Sequence, residues 1–212
     1  VFDRLTRAED ASRKAAELTR QLLAFSQEGS PARKTESVEA IARDCKITTI
    51  FEGCTGIQAA DLLGRKLGLK KGAVCMDLLA RMKADAERAG AQAATADLAR
   101  RMDGAIDRLG AVALHMGQSA MSDQFRAAFA HSLPFLDVMG DVVLGWMLLW
   151  RATVAAEKIS GAKKKDRHFY AGQIKTAEFF IRTLLPGALG RMDAIADGCD
   201  AAVAMDEAAF GG

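Results

Sequence analysis

In Ile50-Phe51-Glu52-Gly53-Cys54-Thr55-Gly56-Ile57-Gln58 a short apolar approach, starting at Ile47, runs into a single carboxylate, and a glycine follows at once. A helical pattern begins a few residues later. A carboxylate held on a turn between apolar segments is partly desolvated, and desolvation raises its pKa toward that of a base working near neutral pH. Gly53 permits a backbone conformation that a Cβ would resist. Thr55 stands where it can cap the next helix, whose free N–H groups offer an anion or oxyanion site. Against this chemical reading stands a plain one, because most exposed Glu-Gly pairs are simple turns.

Outward from this stretch the pattern is helical on both sides. Asp3 to Phe25 places Leu18, Leu22 and Phe25 on one stripe. Gln27 to Glu36 is a break rich in Gly, Ser, Pro and charge. Ser37 to Asp44 reads as a short helical turn with a capping sequence at Thr35 or Ser37. Downstream, helices are expected over Thr55 to Leu67, stopped by Gly68, and over Gly72 to Ala89. Another runs from Thr95 to about His131, with an interruption near Ser119 to Asp123. Two more cover Leu133 to Ile159, with Pro134 in the first turn, and Asp166 to about Asp197. Pro186 and Gly187 should kink or split the last one. The fold expected is all-α, with antiparallel helices joined by short loops.

Composition agrees. Half of the 212 residues are hydrophobic and only three are proline. Twenty-nine basic against twenty-seven acidic side chains leave little net charge, which argues against a nucleic-acid-binding protein. Lys163-Lys164-Lys165 reads as a solvated loop or as a contact for an acidic partner. Cys45, Cys54, Cys75 and Cys199 have no CxxC spacing, and no signal peptide precedes them, so reduced cytoplasmic thiols are expected. His115, His131 and His168 are scattered and suggest no metal site. Val142 to Trp150 is uncharged but bracketed by Asp141 and Arg151. It reads as part of a buried helix rather than a transmembrane segment.

The wording of the central stretch is more specific than its chemistry. Ala42-Arg43-Asp44-Cys45-Lys46-Ile47-Thr48-Thr49-Ile50-Phe51-Glu52-Gly53 resembles the "RDARI…IYEGTNGIQ" block of acyl-CoA dehydrogenases, and Gly56 to Leu67 continues the match without a gap. Phe51 stands where that family usually has tyrosine, and Cys54-Thr55 where Thr-Asn or Thr-Ser is usual. From Leu133 onward, "HSLPFLDVMGDVVLGWMLLWRA" and "FYAGQIKTAEFFIRTLLPGALGRMDAI" resemble the extra C-terminal helical domain of a larger subfamily, which includes 3-methylmercaptopropionyl-CoA dehydrogenase. Phe169-Tyr170, Lys175-Thr176-Ala177 and Leu185-Pro186 carry that match. The resemblance covers roughly residues 37 to 210. The family's "QxxGGxGY" segment is not found before Arg43-Asp44, where Ser26 to Lys34 stands instead.

The resemblance implies a partial catalytic helical domain over 1–69 and a helical extension over 70–212, with the family's N-terminal helical and β-domains absent. It implies FAD-dependent α,β-dehydrogenation of an acyl-CoA, with Glu52 as the catalytic base. Gly53, Cys54, Thr55 and Gln58 would lie against the cofactor, and electron-transfer flavoprotein would accept the electrons. It further implies a homo-oligomer or a partner subunit, because the face carrying Leu18, Leu22, Phe25 and the Glu52 turn has lost its cover. The rival expectation is a non-catalytic helical module for oligomerisation or partner docking. The remaining candidates have structural readings. Arg65 should pair with Asp61 or Asp44. Phe135, Trp146, Trp150, Met139 and Met147 should pack in a core, as should Phe169, Tyr170, Phe179 and Phe180 between the extension helices.

Overall fold

The computed structural model describes residues 54–210, and every regular element among them is helical. Helix α1 (Thr55–Asp61) runs on through a π-helical turn, Leu62–Lys66. A short 3-10 turn, Leu69–Gly72, leads into α2 (Ala73–Gly90). Then come α3 (Ala96–Ser119), the short α4 (Phe125–Ala130) and α5 (Ser132–Lys158). Helix α6 (Lys164–Phe179) passes through a second π-helical turn, Phe180–Leu184, into α7 (Leu185–Asp197). The single turn α8 (Ala201–Ala204) and a 3-10 turn, Glu207–Phe210, follow. The all-α expectation is met.

These helices form where apolar residues recur at helical spacing. In α3, Leu98, Met102, Ile106, Leu109, Val112 and Met116 fall on one side and all are buried. Helix α5 lies at the centre and packs against α1, α2, α3, α6 and α7. Its buried residues include Phe135, Val138, Val142 and Leu149. By length and composition α5 could cross a membrane. A core helix packed by five neighbours needs the same apolar surface, and that is how α5 uses it here.

The break expected near Ser119 to Asp123 is present. A second one, at His131, falls where one expected helix ends and the next, from Leu133, begins. There the backbone leaves helical geometry (φ −91°, ψ 3°) and separates α4 from α5. The turn between α2 and α3 is held by Thr95, whose buried hydroxyl donates to the Ala89 carbonyl at 2.7 Å. The last long helix is split as Pro186 led one to expect. The π-helical turn lies directly upstream of Pro186, in the second position of α7, where its missing N–H costs little.

Several aromatic side chains depart from the expected packing. Phe135 is fully buried, and Trp146 is half-buried with its Nε1 donating to Asp85 Oδ2 at 2.8 Å. Trp150, however, is 44% exposed, one turn further along α5. Phe169 and Phe179 are 61% and 59% exposed, and only Phe180 enters the core beside Ala177 and Ile181. Each residue turns the helix by roughly 100°, so of two adjacent phenylalanines only one can share the buried face. Tyr170 is half-buried and meets Phe169 edge to face at 5.7 Å. Lys163-Lys164-Lys165 is exposed but not a loop, because Lys164 and Lys165 already belong to the first turn of α6.

At Gly145 the side of α5 meets Met102 of α3. A Cβ there would lie 2.8 Å from Met102 Sδ and 3.4 Å from Phe180 Cε1, and both neighbours are themselves buried. Gly145→Ala should therefore destabilise the fold by about 1–3 kcal/mol through overpacking, despite alanine's better helix propensity. Urea unfolding followed by circular dichroism would show it, and an unchanged midpoint would mean that Met102 relaxes at no cost.

Charged contacts tie the helices together at the surface. Arg88 of α2 meets Glu157 of α5 at 2.7 Å, and Lys83 of α2 reaches Asp107 of α3 at 2.7 Å. Asp97 receives Arg101 at 3.0 Å, Arg100 beside it, and Arg182 from the second π-helical turn at 2.9 Å. Hydrogen bonds from Arg101 and then Arg100 hold the Asp97 carboxyl below its ordinary range. A carboxyl with a lowered folded-state pKa stabilises fully above its unfolded value, and that stability is lost as pH falls through the folded value. Melting temperature should therefore decline as pH falls below the ordinary aspartate range. Asp97→Asn should show a shallower decline over that interval. An identical decline in wild type and variant would assign the acid sensitivity elsewhere.

Candidate functional site

Helix α1 begins at Thr55, where the sequence pattern placed it. Cys54 is the residue before it, in an extended conformation (φ −63°, ψ 105°), and no side chain caps the helix. Thr55 does not act as a cap. Capping requires a residue with non-helical geometry just outside the helix, and Thr55 is already inside the first turn. The first backbone bond runs from the Gln58 N–H to the Cys54 carbonyl at 3.1 Å. The N–H groups of Thr55, Gly56 and Ile57 thus precede the helical ladder. Cys54, Thr55 and Gln58 are all exposed. Glu52 and Gly53 lie outside the described residues, as do Asp44, Cys45 and the helix expected over Asp3 to Phe25.

The opposite side of α1 fixes it to the bundle. Ala59 and Leu63 are buried, and α1 packs on α5. The π-helical turn closes with the Leu67 N–H on the Leu62 carbonyl at 2.8 Å. It brings Gly64 against Phe129 of α4, where a Cβ would lie 3.3 Å from Cζ. Single π-helical turns recur at functional sites. Arg65 grips Asp61 with two bonds, at 2.6 and 2.8 Å, so of its two expected partners Asp61 is the one seen. That guanidinium lowers the Asp61 pKa, and Asp61 in turn raises that of Arg65. The pair is exposed and spans one helical turn, so its contribution is small and screened by salt.

Two surface recesses lie away from α1. One, a shallow recess, is lined by His115, Ser119, Gln124, His131, Ile195 and Gly198 among others. His131 Nε2 donates to the Cys199 carbonyl at 2.8 Å, which latches the segment after α7 onto the α4–α5 junction. The other is an open groove along α4 and α8, lined by Asp123, Arg126, Asp200 and Val203. Neither was foreseen. The one local signal was Gly198, which ends α7 in a left-handed conformation (φ +68°). Cys54, Cys75 and Cys199 are free thiols, and burial pushes the Cys75 thiol up. Among the described residues no three His, Cys, Asp or Glu side chains converge on a point that could hold a metal ion.

The helices from the second turn of α2 through α8 correspond to a known domain. Residues 78–206 match the family described as "Acetyl-CoA dehydrogenase C-terminal like". The chain belongs to the acyl-CoA dehydrogenase family. The similarity extends upstream of that domain. A butyryl-CoA dehydrogenase of Syntrophomonas wolfei is 31% identical over 189 residues, covering 88% of this chain and 29% of that protein. A broad-specificity linear acyl-CoA dehydrogenase of Mycobacterium tuberculosis is 29% identical over 189 residues, covering 86% and 31%. The 3-methylmercaptopropionyl-CoA dehydrogenase of Ruegeria pomeroyi is 37% identical over 145 residues, covering 68% and 24%. The chain thus spans between about a quarter and a third of the length of the curated relatives it matches.

Proposed function

We propose that these residues are the C-terminal part of a flavin-dependent acyl-CoA dehydrogenase acting on an acyl-CoA thioester, with Glu52 as the base. Residues 1–69 then contribute part of its catalytic helical domain and residues 70–212 its helical extension. The observation that carries this reading is the continuity of the motif with the fold. The stretch resembling "IYEGTNGIQ" runs straight into α1, which starts at Thr55 and is anchored on α5 of the family's C-terminal bundle.

Two tasks fall to this segment. The α-proton of a thioester is too weakly acidic for a free carboxylate, so the site must lower the cost of the charge that develops at the thioester oxygen. In the reading proposed here, the backbone N–H of Glu52 donates to that oxygen and its carboxylate takes the α-proton. FAD, when bound, accepts the hydride from the β-carbon. The exposed thiol, hydroxyl and amide of Cys54, Thr55 and Gln58, next to Gly53, suit contact along one edge of such a group. They do not enclose it, so the rest of the cradle must come from elsewhere. Electron-transfer flavoprotein is the electron acceptor that fits this chemistry, and the cytoplasm the compartment that fits the free thiols.

A second reading, a helical module for oligomerisation or docking, draws on one specific observation. Large apolar side chains stay exposed on several elements, including Ile57, Leu144, Trp150 and Phe179. Exposed apolar side chains recruit another surface where they join into a patch. The visible spectrum discriminates. The 212-residue chain, alone and joined to the upstream domains of a relative, is purified and its absorbance recorded before and after adding an acyl-CoA without oxygen. Flavin bands that bleach in the joined form support the enzyme. A protein that stays colourless in both forms supports the module.

A further inference from the structure

The corner where α5 turns into α6 carries a charge that the rest of the bundle does not explain. Lys158, Lys163, Lys164, Lys165, Arg167 and His168 are all exposed there, and Asp166 is the only carboxylate between Lys158 and His168. Elsewhere on the bundle many cations are matched, among them Lys83, Arg88, Arg101 and Arg182, each of which meets a carboxylate. Among the described residues none of the four lysines at this corner does. The nearest acid on α5, Glu157, is already taken by Arg88 and Gln92. Arg167 folds back onto the Ala162 carbonyl at 2.9 Å, so its charge lies over the same turn. Lys158 ends α5, where the helix dipole favours a cation. Lys163, Lys164 and Lys165 serve no helix in that way, because they stand at and just inside the start of α6, where the dipole disfavours cations. A local rule broken without a local gain marks a surface used for something else.

We propose that this corner docks on the anionic face of a lipid bilayer. Three features favour a bilayer over an acidic protein. The charge is carried by flexible lysines rather than by the fixed forks of arginine that pair with individual carboxylates. It lies on an exposed turn and helix start, away from both recesses. An exposed aromatic ring, Phe169, follows Lys165 by one helical turn and can enter the headgroup layer. Stable surface binding needs such a pairing of charge with apolar contact.

The test is co-sedimentation of the 212-residue chain with two kinds of vesicle, pure phosphatidylcholine and phosphatidylcholine containing about one-third phosphatidylglycerol, a strongly anionic surface. Binding is expected to the second only, and to be weakened by salt. Each lysine near an anionic surface contributes about fivefold, so the triple variant Lys163→Gln/Lys164→Gln/Lys165→Gln should lose about a hundredfold. Phe169→Ala should lose about tenfold. The pair Arg81→Gln/Arg126→Gln, exposed but remote from the corner, should change binding little. Circular dichroism shows whether each variant is folded. If the triple variant is unfolded, Lys164→Gln alone should still lose about fivefold. The proposal is overturned if the wild-type chain ignores anionic vesicles, or if the folded lysine variant binds them as tightly as wild type. Salt-dependent binding to poly-glutamate with no vesicle binding would overturn it in favour of an acidic protein partner.

Discussion

Glu52→Gln in the complete, flavin-loaded enzyme should lower the rate of flavin reduction by acyl-CoA by at least about a hundredfold, the usual cost of removing a general base. The substrate is a weak carbon acid, so the loss should exceed that floor. The amide keeps the size of the side chain and the backbone N–H of residue 52, so acyl-CoA affinity should stay within a few-fold. Rapid mixing under anaerobic conditions separates the two quantities, giving the reduction rate at saturation and the dissociation constant from its concentration dependence. Wild-type reduction in the variant would move the base to another residue and remove the centre of the proposed function. A variant that fails to bind acyl-CoA would instead make Glu52 a structural residue.

The largest effect on stability is expected at Phe135. It lies near the start of α5 and is fully buried. Phe135→Ala removes most of a side chain from a site closed on all sides, at about 3–5 kcal/mol. A domain of this size has a total stability on the order of 5–15 kcal/mol, so the variant should be close to unfolding at room temperature. Phe179→Ala offers the matched comparison, because the same truncation on an exposed ring should cost under about 1 kcal/mol. Urea titrations should shift the midpoint strongly for the first variant and slightly for the second, with similar slopes. Equal shifts would mean that Phe179 is covered in solution, by a second copy or another partner.

Much of this architecture was legible because helical periodicity is a local property. Gly68 and the glycine at 72 bracketed the turn before α2, and the polar stretch Ser119 to Asp123 announced the end of α3. Thr55 was placed correctly as the start of a helix but wrongly as its cap. The two differ by one residue, and only backbone geometry separates them. The family was legible through the wording of the motif, and residues 78–206 match it. The roles of Glu52 and Gly53 still rest on that wording, because both residues lie outside the described part of the chain.

The sequence by itself determined the helical class, the position of most helices and the family, since each depends on residues close together in the chain or on a contiguous motif. Which apolar side chains are buried was decided only in the tertiary structure. Trp146 and Trp150 sit one turn apart on α5, yet the first finds Asp85 of α2 while the second stays 44% exposed. Phe179 and Phe180 are neighbours, and the approach of α3 and α5 at Gly145 selects the second. The His131 latch onto Cys199 joins residues far apart in sequence, and nothing local announces it. Periodicity names the apolar side of a helix, but how wide a strip of that side is covered depends on the number and angle of the helices that arrive to pack on it.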